Sequence, residues 1–141
     1  MKTEKPDEEH VKLIEPYGPY IREIANKLNL EAWRFNLIHD PAPEECLARM
    51  RCIEGKKLFE VELGKSFFQE DAEGQRETIV HEVIHVHFGD MHNGLGKVLS
   101  KDSWKWYELA MEHGIDALAR IIAPFMPLPP KSCLIQNESA A

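Results

Sequence analysis

The string His81-Glu82-Val83-Ile84-His85 limits what this chain can fold into more than any other part of it. Residues four apart share one face of an α-helix, so the two imidazoles reach a common point with Glu82 beside them. The setting agrees with a helix. From Ala72 to Phe88 there is no proline, and Gly89 comes next as a residue that ends helices by accepting a left-handed conformation. On a helical wheel Val80, Val83, Ile84 and His87 fall to one side and Thr78, His81 and His85 to the other. This predicts one packed face and one face that presents donor atoms. Two histidines and a glutamate turned inward on an apolar helix are costly without a metal ion or polar partners. His87, away from that face, reads as a packed or hydrogen-bonded histidine.

The remaining sequence supplies the frame. With 141 residues, 43% of them hydrophobic, the chain has material for one core and one domain, residues 1–127, followed by a loose tail, 128–141, from which Leu134 and Ile135 can dock. Pro16, Gly18 and Pro19 interrupt the first stretch, so a helix is expected from about Pro19 to Leu28, with Ile21, Ile24, Ala25 and Leu28 at amphipathic spacing. A strand is expected from Ala32 to His39, then a proline-rich turn. Two further strands, Cys46 to Glu54 and Lys57 to Gly64, flank Gly55-Lys56 as a hairpin, and alternation gives each an apolar face. A loop rich in Gly and Asn is expected from Gly89 to about Asp102, and a closing helix from Ser103 to Ala123. The expected class is α+β: an N-terminal helix, a three-stranded, mostly antiparallel sheet, the motif helix and a closing helix.

Charge and cysteine usage narrow the setting. A net charge of −7 argues against binding phosphate backbones, so no nucleic-acid partner is expected. Arg49, Arg51, Lys56 and Lys57, interrupted by Glu54, read as a solvated hairpin face. There is no apolar run of membrane-span length and no apolar leader after Met1, which gives a cytoplasmic expectation with no membrane partner. Cys46, Cys52 and Cys133 are odd in number and lack metal-binding spacing, so free thiols in a reducing compartment are expected.

A catalytic zinc takes three protein ligands and keeps one open position, so His81 and His85 need a partner. The closing helix offers Glu108 and Glu112 one turn apart, with Asp116 a turn further. His92 is another candidate, because Gly89 and His92 each come one position late for the metzincin pattern HExxHxxGxxH. One extra residue on a helix rotates the later side chains by about 100°, which places His92 better as cleft lining. Trp104, Trp106 and Tyr107 read as core or cleft wall, and Tyr107 has a phenol to offer an oxyanion. If zinc is bound, Glu82 is placed to take the proton of the attacking water. An extended peptide is expected to pair with an edge strand, taken as Lys57 to Leu63.

HExxH with a ligand glutamate on a following helix is the gluzincin pattern, and the chain resembles the small gluzincins, particularly the ImmA/IrrE-like peptidases of phages and mobile elements. Glu112-His113-Gly114-Ile115-Asp116-Ala117-Leu118-Ala119-Arg120-Ile121-Ile122-Ala123-Pro124 resembles that family's closing helix, approximately E-x-x-A-x-x-F-A-x-x-L-L-x-P. Ile115 stands in the place of the small residue, Leu118 in that of the aromatic, and the proline comes one position early. The resemblance spans roughly Trp33 to Pro127 by element order, and the two helices by motif. It implies a zincin-like fold and a zinc ion held by His81, His85 and Glu112, ahead of Glu108 or His92. It also implies that Asp116 hydrogen-bonds a ligand histidine, His81 in the first place. The implied function is a zinc metallopeptidase acting on a peptide or protein substrate, with Glu82 as general base. The alternatives are a catalytically silent zinc-binding regulatory or interaction domain of a phage or mobile element, and a structural domain whose HExxH is incidental.

Overall fold

In chain order the backbone forms α1 (Glu8–Ile14), α2 (Tyr17–Lys27), β1 (Arg34–Leu37), β2 (Ala48–Cys52), β3 (Leu58–Leu63), a 3-10 turn (Lys65–Gln69), α3 (Ala72–His87), α4 (Gly89–Val98), α5 (Lys101–Ile122) and a second 3-10 turn (Ala123–Phe125). The structure is a computed structural model that describes residue 5 and residues 7–134. Among these residues the class is α+β, and no helix is long and apolar enough to cross a membrane.

The sheet has the order β1-β3-β2, with β3 at its centre because alternate residues there are the most apolar. Phe59, Val61 and Leu63 are fully buried, whereas their neighbours on β3 are partly exposed. β2 pairs antiparallel with β3 through a hairpin in which Gly55 takes φ 74°, a conformation that glycine adopts without strain. β1 pairs parallel with the other edge of β3, from Arg34 opposite Leu58 to Leu37 opposite Val61. The sheet is therefore mixed, which corrects the mostly antiparallel expectation. Its cause lies in the connector. Ile38 N and Ala42 N still donate to the carbonyls of Val61 and Leu63, at 2.8 and 3.1 Å, so the chain tracks β3 to its end and then crosses to the far edge as β2. The edge strand needs the same correction. The Lys57 to Leu63 segment is paired on both sides, so the edge strand beside α3 is β2.

Two N-terminal helices stand where one was expected. Asp7 caps α1, its Oδ1 accepting from His10 N at 3.3 Å, and Glu8 and Glu9 complement the dipole of the first turn. α2 begins at Tyr17 rather than Pro19 because Pro16 is its N-cap and Pro19 lies in its first turn, where a missing N–H breaks no helical bond. The expected Gly89–Asp102 loop holds α4. Gly89 has no left-handed φ, and a Cβ on it would collide with the Cys52 side chain, so the close approach of α4 to β2 requires the glycine.

α3 runs through the middle of the molecule against β2, α2 and α5. Ile79, Val80, Val83, Ile84 and Val86 are all buried, a wider surface than one face of an amphipathic helix. At its N-terminal end Tyr17 meets Phe67 and Phe68 edge-on at 5.2 and 5.6 Å and donates its hydroxyl to Gln75 Oε1 at 2.6 Å. Gln75 Nε2 donates in turn to Glu70 O at 3.2 Å, so the buried amide is satisfied. The tail is packed further than expected. Residues 131–134 are helical and Cys133 is buried with Sγ 3.3 Å from Pro16 O, while Ile135 and the rest of the expected loose tail lie outside the described residues. Cys46, Cys52 and Cys133 are free thiols.

Candidate metal centre

Asp71 starts α3 by accepting from Gly74 N at 2.8 Å, and no proline interrupts the helix before Phe88. Because α2, β2 and the core take up most of its surface, a half-buried strip remains that carries His81, Glu82 and His85. α5 crosses this strip. Ser100 caps α5, accepting from Ser103 N at 3.2 Å, and Ile115 and Ala119 are buried against the core. That rotation turns Glu112 and Asp116 toward α3.

Three donor groups converge. His85 Nε2 lies 3.2 Å from His81 Nε2, Glu112 Oε1 lies 2.7 Å from His85 Nε2, and Glu112 Oε2 lies 3.3 Å from His81 Nε2. Donor atoms of these three side chains all fall within 4.8 Å of one another. Zinc bonds of about 2.0–2.1 Å at tetrahedral angles put neighbouring donors about 3.3 Å apart, so the separations between the imidazoles and from His81 to Glu112 match one edge each. Two imidazoles and a carboxylate are also a chemically suitable donor set for that ion.

Hydrogen bonding prepares the imidazoles. Asp116 Oδ1 lies 2.8 Å from His81 Nδ1. A carboxylate there accepts the Nδ1 proton, which leaves the Nε2 lone pair directed at the cluster and fixes the ring's orientation. Burial holds the pKa of His85 below the usual histidine range, with the Glu112 charge opposing it, so the neutral imidazole that a metal requires is favoured. Glu82 sits deepest. Its Oε1 is 4.0 Å from His81 Nε2, and burial, reinforced by the charges of Glu112 and Asp116, pushes its carboxyl up to about 8.

Two cavities meet at Glu82 and Ala48. One, of about 460 Å³, is lined by His81, Asp116, Glu77 and Glu70; the other, of about 650 Å³, is lined by His85, Glu112 and β2. His92 and Glu108 line the second cavity but do not join the three-residue cluster. The His92 ring packs at a tilt against Trp104 and Tyr107, with centroids 4.7 and 5.8 Å away. The Tyr107 hydroxyl is buried without a hydrogen-bond partner among the described residues, and Tyr107 does not line the cleft. Trp106 is 74% exposed, which corrects its placement in core or cleft wall. His87 is turned away, its Nε2 2.6 Å from Leu28 O. Met50, Cys52, Phe88 and Met111 form the apolar wall of the second cavity, a role that sequence reasoning missed. The alternation along β2 marks Met50 and Cys52 as sharing a face, but local pattern does not show that the face borders a cleft. Compared with protein-family models, with curated proteins and with solved structures, the chain matches none.

Proposed function

We propose that this protein is a zinc-dependent metallopeptidase in which His81, His85 and Glu112 hold the ion and Glu82 carries the proton of the hydrolysis. The observation that carries the reading is the convergence of those three donor groups beside a buried carboxylate, at the meeting point of two cavities under an edge strand. A zinc ion held there would supply a water of pKa about 7 and a Lewis acid for the scissile carbonyl.

The chain's own residues do the rest. Glu82, adjacent to the ligands and shielded from bulk water, accepts a proton from the attacking water and returns it to the departing amine. The positive charge of an ion held beside it would lower that raised pKa and leave Glu82 ionised to accept the proton. Asp116 keeps His81 in the tautomer that leaves Nε2 free. β2 offers unpaired backbone groups beside the cleft, so an extended peptide or protein segment binds there as an added strand. The resemblance to small ImmA/IrrE-like gluzincins belongs to the same proposal. It rests on the two motif helices and the glutamate and aspartate one turn apart on the second.

The test uses zinc-loaded protein and a fluorescence-quenched peptide library. Glu82→Gln is expected to retain one zinc per chain and lose turnover. Equal turnover by parent and variant would remove Glu82 from the mechanism. Zinc bound by the parent with no cleavage of any peptide would favour the silent binding domain instead.

A further inference from the structure

α5 is buried along one side. On the other, Trp106, Leu109, Leu118 and Ile121 are 74, 49, 41 and 66% exposed, and Ala110, His113, Gly114 and Ala117 are exposed between them. At 100° per residue these eight side chains form a single stripe opposite Ile115. Its exposed apolar residues are placed alike in both directions. About a centre between His113 and Gly114, Ala110 mirrors Ala117, Leu109 mirrors Leu118, and Trp106 mirrors Ile121.

A twofold contact sets residue i of one copy against j of the other and j against i, so this spacing brings large side chains together at both ends of an antiparallel pair. In an antiparallel pair of such helices, large side chains meet at both ends while Ala and Gly let the backbones approach at the centre. Gly114 supports this independently. A glycine inside a helix costs about 1 kcal/mol relative to alanine. Here φ is not positive, and among the described residues nothing lies within 4 Å of where a Cβ would stand. Its own fold gives no reason for the glycine, whereas a second helix crossing there does.

Charge and area favour a second copy as the occupant. Two chains of net charge −7 repel each other. This face carries little of that charge, since Glu112 and Asp116 turn toward α3 and Arg120 pairs with Glu77 of α3 at 3.7 Å. Taking roughly 200 Å² for a large side chain, the four exposed ones present on the order of 450 Å². The small residues between them and Phe125, 84% exposed just past the helix, bring the face toward the roughly 800 Å² that each partner of a stable dimer buries.

We infer that the outer face of α5 is the contact surface of a twofold dimer of this chain, with the two α5 helices antiparallel and crossing at His113 and Gly114. The contact is independent of metal and of hydrolysis.

Sedimentation of the full chain from 1 to 200 µM, without zinc, is expected to show a monomer–dimer equilibrium. Trp106→Glu and Ile121→Glu should each weaken it at least tenfold while far-UV circular dichroism stays unchanged, because both positions are exposed. Under mild oxidation His113→Cys should form a covalent dimer. Ser103→Cys should not, since copies of position 103 would stand about 30 Å apart along the paired helices. The parent, with its three native thiols, is the background control. A monomer throughout the range, a dimer indifferent to both glutamates, or equal cross-linking at 103 and 113 would overturn the inference.

Discussion

On one side α3 is sealed by α2, the sheet and the aromatic group around Tyr17, with Ile79, Val80 and Val83 at 0–1% exposure. On the other it meets α5, a 22-residue helix whose fully buried residues are Ile115 and Ala119. The candidate metal centre takes one half from each side. His81, Glu82 and His85 stand on the sealed helix and are held by its packing. Glu112 and Asp116 stand on the open one, about half exposed, and are held by the imidazoles they face. The contrast is that the candidate donor set is held by α3 and completed by α5, so an ion bound there would fasten the more exposed helix to the buried one.

The largest effect should come from the sealed side. Ile79→Ala is expected to cost about 2–5 kcal/mol in urea unfolding of the metal-free protein, because the cavity it leaves has well-packed walls. Leu118→Ala, on exposed α5, should stay within about 0.5 kcal/mol at low protein concentration. Comparable losses from the two would erase the distinction between the sides.

Joining the two halves should come next in size. Free zinc at a hundred times its Kd is expected to add about 2.7 kcal/mol to unfolding, read as a rise in Tm. Glu112→Gln should abolish most of that rise and Glu108→Gln should preserve it, because Glu108 lies in the cavity wall but outside the donor cluster. Asp116→Ala should keep one zinc per chain but weaken it about 10–100-fold, the usual consequence of freeing a ligand histidine. If Glu108→Gln were the damaging change, α5 would have to sit in a different rotation.

Both halves of this centre are local patterns, which is why they are legible in the sequence. Four-residue spacing puts His81 with His85, and the same spacing on α5 puts Glu112 with Asp116. The illegible parts depend on distant contacts. The parallel pairing of β1 arises because the connector tracks β3 to Leu63, and no periodicity in residues 32–47 encodes that path. Gly89 looks like a stop signal and so hides α4 behind an expected loop, yet this glycine answers to the Cys52 side chain 37 positions earlier in the chain. Residue type alone points Trp106 inward, whereas the rotation of α5 set by Ile115 turns it out.

The sealed side should also carry a smaller pH signature. His10 is 2% exposed, with its ring edge-on to Phe68 at 5.7 Å and Nε2 without a partner among the described residues. Burial lowers its pKa from the ordinary 6.5, with Lys65 acting in the same direction and Asp7 and Asp40 against it. The folded state thus binds the proton less readily than the unfolded chain. Its contribution to stability is complete above pH 6.5 and falls away as the pH drops from there toward the lowered folded value. Denaturation midpoints of the metal-free parent should decline across that window more steeply than those of His10→Phe. Parallel curves would show that His10 is hydrated and that the sealed side is less closed around α1.

The smallest effect belongs to the open side and has the opposite sign. Gly114→Ala places a methyl group where nothing among the described residues stands within 4 Å, at a residue whose φ is not positive. The helical conformation is therefore unstrained for alanine, and the unfolded chain loses freedom that glycine had. The expected result, at a concentration low enough to keep the protein monomeric, is stabilisation by about 0.5–1 kcal/mol. The same change at buried Gly89 has no such outlet, since Gly89→Ala drives its Cβ into Cys52 and should destabilise. Opposite signs from one substitution type measure the contrast between a closely packed glycine and an open one without reference to the metal. If Gly114→Ala also destabilised the monomer, the outer face of α5 would have to be covered within the single chain. Both the openness of that side and the dimer contact built on it would then be lost together.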